Sequence, residues 1–296
     1  MPNIAIIWDF DGTLTPIDST TKAVEIIQEG NPGSGSEFWR GVKSLRGDGK
    51  EPIWEHVLAS DAPIWMYVLS RIAFKKKIPL NAEFFKKFVA PHIPLYDGVA
   101  SFLRKLKLLE ETSLFKETDV TISYFIVTAG LKELVELVPP NGLITWTFGC
   151  CYKIVVTEEN RGEPESVPVF CMDETMKTRS IFEICKGSFR DKEHTVNRRV
   201  PKDELWAPFE NMIYIGDGDT DVPALSLVRS RGGVGVAVYD SSKSKNKIDE
   251  RLRNMRLDKR ADLITPADFS VRGELFEFLS NRCKQIAQRY RAEQAV

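Results

Sequence analysis

Ile4-Ala5-Ile6-Ile7-Trp8-Asp9-Phe10-Asp11-Gly12-Thr13 is the stretch on which the reading of the fold turns. An unbroken apolar run of this length reads as a strand buried on both faces, the kind found inside a parallel sheet. Two carboxylates leave its end two residues apart, and Gly12 then turns the chain. A strand's period of two sends Asp9 and Asp11 the same way, and a turn aims both into one cleft. Neighbouring carboxylates repel each other, so the pair predicts a metal site, an acid/base pair, or both. An Asp-Gly turn after a strand is also common punctuation, so partners elsewhere in the chain decide its meaning.

Outward from this stretch, residues 22–28, Ile64 to Ile72 and Glu83 to Val89 carry helical spacing. Looser Gly- and Pro-containing stretches at 30–35 and 46–50 separate them. Val99, Phe102, Leu103 and Leu106 form one helical face. Thr121 to Val127 reads as a strand that ends at Thr128-Ala129-Gly130, and residues 131–138 as a helix stopped by Pro139-Pro140. Residues 143–172 read as short strands around a polar turn, and 178–185 as a helix with Ile181, Phe182 and Cys185 on one side. Residues 187–208 are polar and read as a surface excursion. Met212 to Ile215 is a strand running into Gly216-Asp217-Gly218-Asp219-Thr220-Asp221, and Val234 to Val238 is another. The charge-rich segment 241–260 reads as a solvated helix, with Lys243, Lys245 and Lys247 on its wet face, and residues 274–291 as an amphipathic helix. Strands alternating with helices predict an α/β fold with a doubly wound, mostly parallel, Rossmann-like sheet. Residues 1–16 and 94–296 are expected to build that core, and 17–93 a helical insertion in it.

A chain of 296 residues with 43% hydrophobic residues can bury a sizeable core, and a net charge of −1 supplies no field to recruit nucleic acid or an anionic membrane. No apolar run approaches spanning length, and the N-terminal run is too short for a signal peptide. The five cysteines form no CxxC pair, which predicts reduced thiols in a cytoplasmic protein. Three histidines, His56, His92 and His194, make no ligand cluster, so zinc is not expected.

Three polar sites therefore end strands: Asp9/Asp11, Thr128, and Asp217/Asp219/Asp221. Ligands bind at the carboxyl ends of strands in open parallel sheets, so the three can share a crevice. Lys177 lies between the second and third. An EF-hand reading of the Asp-rich loop fails, because a strand and not a helix precedes it. In these motifs, their order and their spacing, the chain resembles the haloacid dehalogenase superfamily, in its phosphoserine-phosphatase-like branch with a class 1 helical cap. DFDGT resembles the first motif, the hydroxyl of VTAG the second, Lys177 the third and GDGDTD the fourth. The resemblance implies Asp9 as the nucleophile of an aspartyl-phosphate and Asp11 as general acid and base. It implies Mg²⁺ at Asp9, Asp11 (through its backbone carbonyl), Asp217 and Asp221. Gly12, Thr128, Ala129, Gly130 and Lys177 would then bind the phosphoryl group, with Asp221 also supporting the site from behind. The first-motif pair with Asp11 favours phosphate esters over halo-acids, since an alkoxide leaves poorly unless protonated and a halide needs no proton.

The expected activity is Mg²⁺-dependent hydrolysis of a small phosphorylated metabolite. A phosphotransferase or phosphomutase on the same scaffold is the second reading, and a non-catalytic phosphate-binding protein the third. Lys153, Lys186 and Lys202 rival Lys177 for the third-motif role. The cap aromatics Phe38, Trp39, Trp54, Trp65, Tyr67, Phe84, Phe85 and Phe88 are expected to form cap core. Asp18 has at most a minor substrate role.

Overall fold

The computed structural model describes residues 2–46, 60–138, 140, 142–158, 162–191, 193, 195–257 and 260–295. Trp54, His56, His194 and the 47–50 part of the second loose stretch lie outside the described residues.

Among the described residues, seven strands form one sheet in the order β4-β3-β2-β1-β5-β6-β7. They are β1 (Asn3–Trp8), β2 (Thr121–Leu131), β3 (Ile144–Val155), β4 (Glu165–Phe170), β5 (Met212–Gly216), β6 (Val234–Tyr239) and β7 (Leu263–Pro266). All pairings are parallel except β3–β4, which is antiparallel. Ile4 to Trp8 are fully buried, as a strand covered by helices on both faces requires. The chain winds from β1 through β2 to β4 on one side and from β5 to β7 on the other, so the crevice between β1 and β5 is the topological switch point.

The helices are α1 (Ser19–Ile27), α2 (Ser34–Arg46), α3 (Asp61–Lys75), α4 (Ala82–Phe84, continued by a wider turn to Val89), α5 (Val99–Lys107), α6 (Ser113–Thr118), α7 (Lys132–Val135), α8 (Glu174–Lys186), α9 (Val222–Ser230), α10 (Lys245–Leu257) and α11 (Glu274–Gln294). Asp18 caps α1 by accepting from the Thr21 N–H at 2.6 Å, and Asp173 caps α8 by accepting from Met176 at 2.7 Å. None of the described helices is long and apolar enough to cross a membrane.

Several local expectations change. Helix α2 begins inside the first stretch read as loose, and α7 stops at Val135, before the two prolines. Strand β3 is a single run of 12 residues, bent by register shifts against β2 and β4. In α8 the buried side carries Lys177, Ser180, Ile181, Ile184 and Cys185. Phe182 instead packs edge-on against Phe209 at 5.3 Å. The 187–208 excursion is anchored: Phe189 and Trp206 meet Phe125 of β2 at 5.1 and 5.2 Å between ring centres. Helix α10 is not wholly solvated, because Leu252 and Met255 are fully buried. Among the expected cap aromatics Phe38, Trp65 and Phe85 are buried, whereas Tyr67 and Phe88 are 57% and 44% exposed. Cys150, Cys185 and Cys283 are buried and Cys151 and Cys171 half-buried, all as free thiols.

Candidate active site

Register brings the three polar sites to one edge. Trp8 of β1 pairs with Ile126 of β2 and with Ile215 of β5. Asp9 and Asp217 follow the last residues of β1 and β5, and Thr128 lies two residues beyond Ile126 within β2, so the three meet at the carboxyl end of the sheet. They line a cleft of about 280 Å³ together with Asp11, Gly12, Ala129 and Gly130.

Asp9 is held on both oxygens. Oδ1 accepts the Phe10 N–H at 2.8 Å, and Oδ2 lies 3.1 Å from Lys177 Nζ. Lys177 is completely buried and also donates to Asp221 Oδ1 at 2.7 Å. Its place follows from the helix period: Lys177, Ile181 and Ile184 share one face of α8, so a lysine occupies a position the packing would otherwise fill with an apolar side chain. A buried ammonium needs charge partners, and the strand ends supply them. The rivals are elsewhere. Lys153 is exposed, Lys186 donates to the Val196 and Arg198 carbonyls, and Lys202 pairs with Glu210 at 3.2 Å.

Asp221 is the hub beneath the cleft. Besides Lys177, it accepts from the Tyr214 hydroxyl at 2.7 Å and the Gly218 N–H at 3.1 Å. Asp9, Asp217 and Asp221 each offer an oxygen within 4.8 Å of the others. Gly12, at φ +76°, makes the approach of Asp217 possible, since a Cβ there would stand 1.9 Å from Asp217 Oδ2.

Asp11 is gripped by Ser19, the first residue of α1. The Ser19 N–H donates to Oδ1 and its hydroxyl to Oδ2, both at 3.0 Å. Thr128 is buried, and its Oγ1 accepts the Gly130 N–H at 3.0 Å. That amide, expected to face a phosphoryl oxygen, is thus turned onto its own loop, while the Thr128 hydroxyl keeps its proton to give. Cys150 Sγ leans on the Ala129 carbonyl at 3.3 Å from behind the loop.

The electrostatics set the groups apart from ordinary carboxylates. Burial first, then the charges of Asp221 and Asp217, push Asp9 up to about 8 against the pull of Lys177. Burial and Asp18 hold Asp11 well above the usual carboxylate range, and the Ser19 hydrogen bonds oppose them. Burial alone would lower Lys177, but Asp221 and Asp9 keep it above an ordinary lysine. The donor set is all oxygen, buried and mutually repulsive, which suits a hard divalent cation such as Mg²⁺.

Sequence reading missed Ser19, Tyr214 and Thr220, the last of which lies 3.4 Å from Lys177 Nζ. It also placed Lys243 on a solvated face, whereas Lys243 lines the cleft. Trp39 and Trp65 line it from α2 and α3, and Asp18 from the head of α1.

No protein-family model matches the chain. A protein of Borreliella burgdorferi described only as uncharacterized is 25% identical over 242 residues, 77% of this chain and 79% of that one. Among solved structures, a probable phosphoserine phosphatase from Vibrio cholerae superposes with a TM-score of 0.51 and 13% identity, over 98% of this chain and 67% of that one. A protein of unknown function from Bordetella pertussis Tohama I gives a TM-score of 0.51 and 12% identity, over 91% and 100%. Likeness at this level is likeness of fold.

Proposed function

We propose, on the haloacid dehalogenase superfamily fold that this chain has, that it is a Mg²⁺-dependent phosphatase of small phosphomonoesters working through an aspartyl-phosphate at Asp9. One observation carries the reading: a fully buried lysine lies between two of three clustered strand-end aspartates, 3.1 Å from Asp9 and 2.7 Å from Asp221. Phosphoryl transfer to a carboxylate asks for that arrangement, an anionic nucleophile in a site otherwise arranged to absorb negative charge.

In the proposed reaction an Asp9 oxygen forms a bond to phosphorus as the bond to the ester oxygen breaks. Asp11 gives its proton to that departing oxygen, a task its raised affinity for protons suits. The carboxylate left on Asp11 then takes a proton from water, whose oxygen attacks phosphorus and restores free Asp9. Lys177 offsets the charge of Asp9 and of the phosphoryl oxygens, and Asp221 with Tyr214 holds the lysine in place. Asp9 and Asp217, with Asp221 and the Asp11 carbonyl beside them, would hold the Mg²⁺, which supplies electrostatic shielding between nucleophile and phosphate. The Thr128 hydroxyl donates to a phosphoryl oxygen, and Gly12 lets the backbone come close. Residues 17–93 are the helical cap over the 1–16 and 94–296 core in this reading, and a cytoplasmic metabolite is the substrate.

The test is phosphate release from a panel of phosphorylated metabolites with Mg²⁺ and with chelator. Release that needs the cation, and that Asp9→Asn lowers by a factor on the order of 10⁴, is the expected outcome. A folded Asp9→Asn that retains wild-type release removes Asp9 as nucleophile, and no release by wild type from any compound removes the phosphatase reading.

A further inference from the structure

Strand β6 outruns its neighbour. Gly216, the last residue of β5, pairs with Ala237, so Val238 and Tyr239 carry β6 beyond the level at which Asp217 leaves the sheet. The chain then turns tightly. Ser242 donates its N–H and its hydroxyl to Asp240 Oδ1 at 2.9 and 2.6 Å, and the Lys243 N–H donates to the Asp240 carbonyl at 3.2 Å. This turn, a side chain standing in for backbone, brings Lys243 back over the edge to line the cleft beside Asp217 and Thr220. Its charge acts on Asp240 in the same turn, where, against burial and after the Ser242 hydrogen bonds, it helps to lower that carboxyl, and among the described residues no hydrogen bond fixes the ammonium there.

The charge around it is lopsided. Asp9, Asp11, Asp18 and Asp217 line the cleft, and Lys243 is the one lysine or arginine doing so among the described residues. Lys177 lies beneath them, already engaged by Asp9 and Asp221. A phosphomonoester adds further negative charge, and the inner lysine and a divalent cation would both lie on the aspartate side of it, so its outer flank has no positive partner but Lys243 among the described lining residues. Strand order places Thr128 on the β2 side of Asp9 and Lys243 on the β6 side, so the two reach a bound phosphoryl group from opposite flanks.

We propose that Lys243 is a substrate-binding residue whose ammonium takes an anionic oxygen of the phosphoryl group at the outer flank of the cleft. The proposal rests on the phosphatase reading. An ammonium on a flexible stem holds an anion as a point charge and dictates no geometry, so its contribution falls in binding and not in the chemical step.

The experiment pairs kinetics with calorimetry of inorganic phosphate on wild type, Lys243→Gln, Lys243→Arg and a Lys245→Gln control, in the presence of Mg²⁺. Lys243→Gln is expected to raise KM about tenfold for every hydrolysed ester and to weaken phosphate binding by a similar factor, the size of one charge-assisted hydrogen bond at a wet site. Lys243→Arg recovers most of the loss, and Lys245→Gln changes neither quantity. A KM rise confined to esters with a second acid group overturns the phosphoryl assignment and moves Lys243 to the leaving group. Unchanged phosphate binding in Lys243→Gln sinks the inference alone. A wild type that binds phosphate but hydrolyses nothing sinks the phosphatase reading, and the calorimetric comparison still judges Lys243.

Discussion

Asp11 shows how much one residue's role depends on a neighbour that sequence reading passed over. Its two oxygens are claimed by the N–H and hydroxyl of Ser19. Both bonds favour the carboxylate over the acid, against burial and Asp18. Ser19→Ala keeps the N–H and removes the hydroxyl, so Asp11 binds its proton more tightly. The alkaline limb of the kcat/KM profile is expected to move up in pH, with a severalfold fall in kcat, and Ser19→Thr to restore both. A profile unmoved by Ser19→Ala removes the serine from the acid's support. Asp9, Thr128 and Asp217 were legible in advance because each ends an apolar run and strand edges align. Ser19, Tyr214 and Lys243 were not, because their partners lie across contacts that no local pattern encodes. Lys177 stood between these cases. Its spacing from Ile181 and Ile184 puts it on the buried face of α8 and separates it from Lys186.

At the scale of elements, periodicity located the long helices and the central strands. It failed where a few residues carry the burial. Helix α10 reads as solvated because charge dominates it, yet Leu252 and Met255 are fully buried. Leu252→Ala is expected to cost about 2–4 kcal/mol by urea unfolding, as for a large-to-small change in a packed site. A change below about 0.5 kcal/mol would return α10 to the surface. Such a loss also bears on the site, because Lys243 sits two residues before α10 begins. The 187–208 excursion lies at the surface as its polar residues predict, but they hide its anchor. Its polar residues outnumber Phe189 and Trp206, yet those two rings pack edge-on against Phe125 and against each other, with 5.1 Å between their own centres. Strand β7 left little pattern to read, with four residues ending in proline at the sheet edge.

For the whole molecule, the cluster of aspartates is expected to make stability depend on pH and on a divalent cation together. Asp9 has a proton affinity raised to about 8 in the fold against 3.8 for the unperturbed group. Between those values the folded chain holds a proton that the unfolded chain has lost, so this group's contribution to stability falls as pH rises through the window. A cation beside Asp9 favours the carboxylate and removes that loss. Calorimetric Tm values with chelator are therefore expected to fall from about pH 5 to about pH 8, and the gain from Mg²⁺ to be larger at the upper pH. A Mg²⁺ gain independent of pH counts against cation binding at Asp9. The helices over the cleft are tied to the sheet at more places than the two chain crossings. The Tyr152 hydroxyl donates to the Met66 carbonyl at 2.6 Å, the Leu80 N–H to Ser166 Oγ at 2.9 Å, and Arg71 and Lys77 reach Glu165 and Glu163. All of these ties run to the β3–β4 hairpin, at one side of the molecule. Asp18 stands beside the first chain crossing, where Ser19 holds Asp11, and lines the cleft with Trp39 and Lys243. The covering helices are therefore fastened on two sides, along the hairpin and at Ser19, so the serine that holds the acid also pins the helix above it.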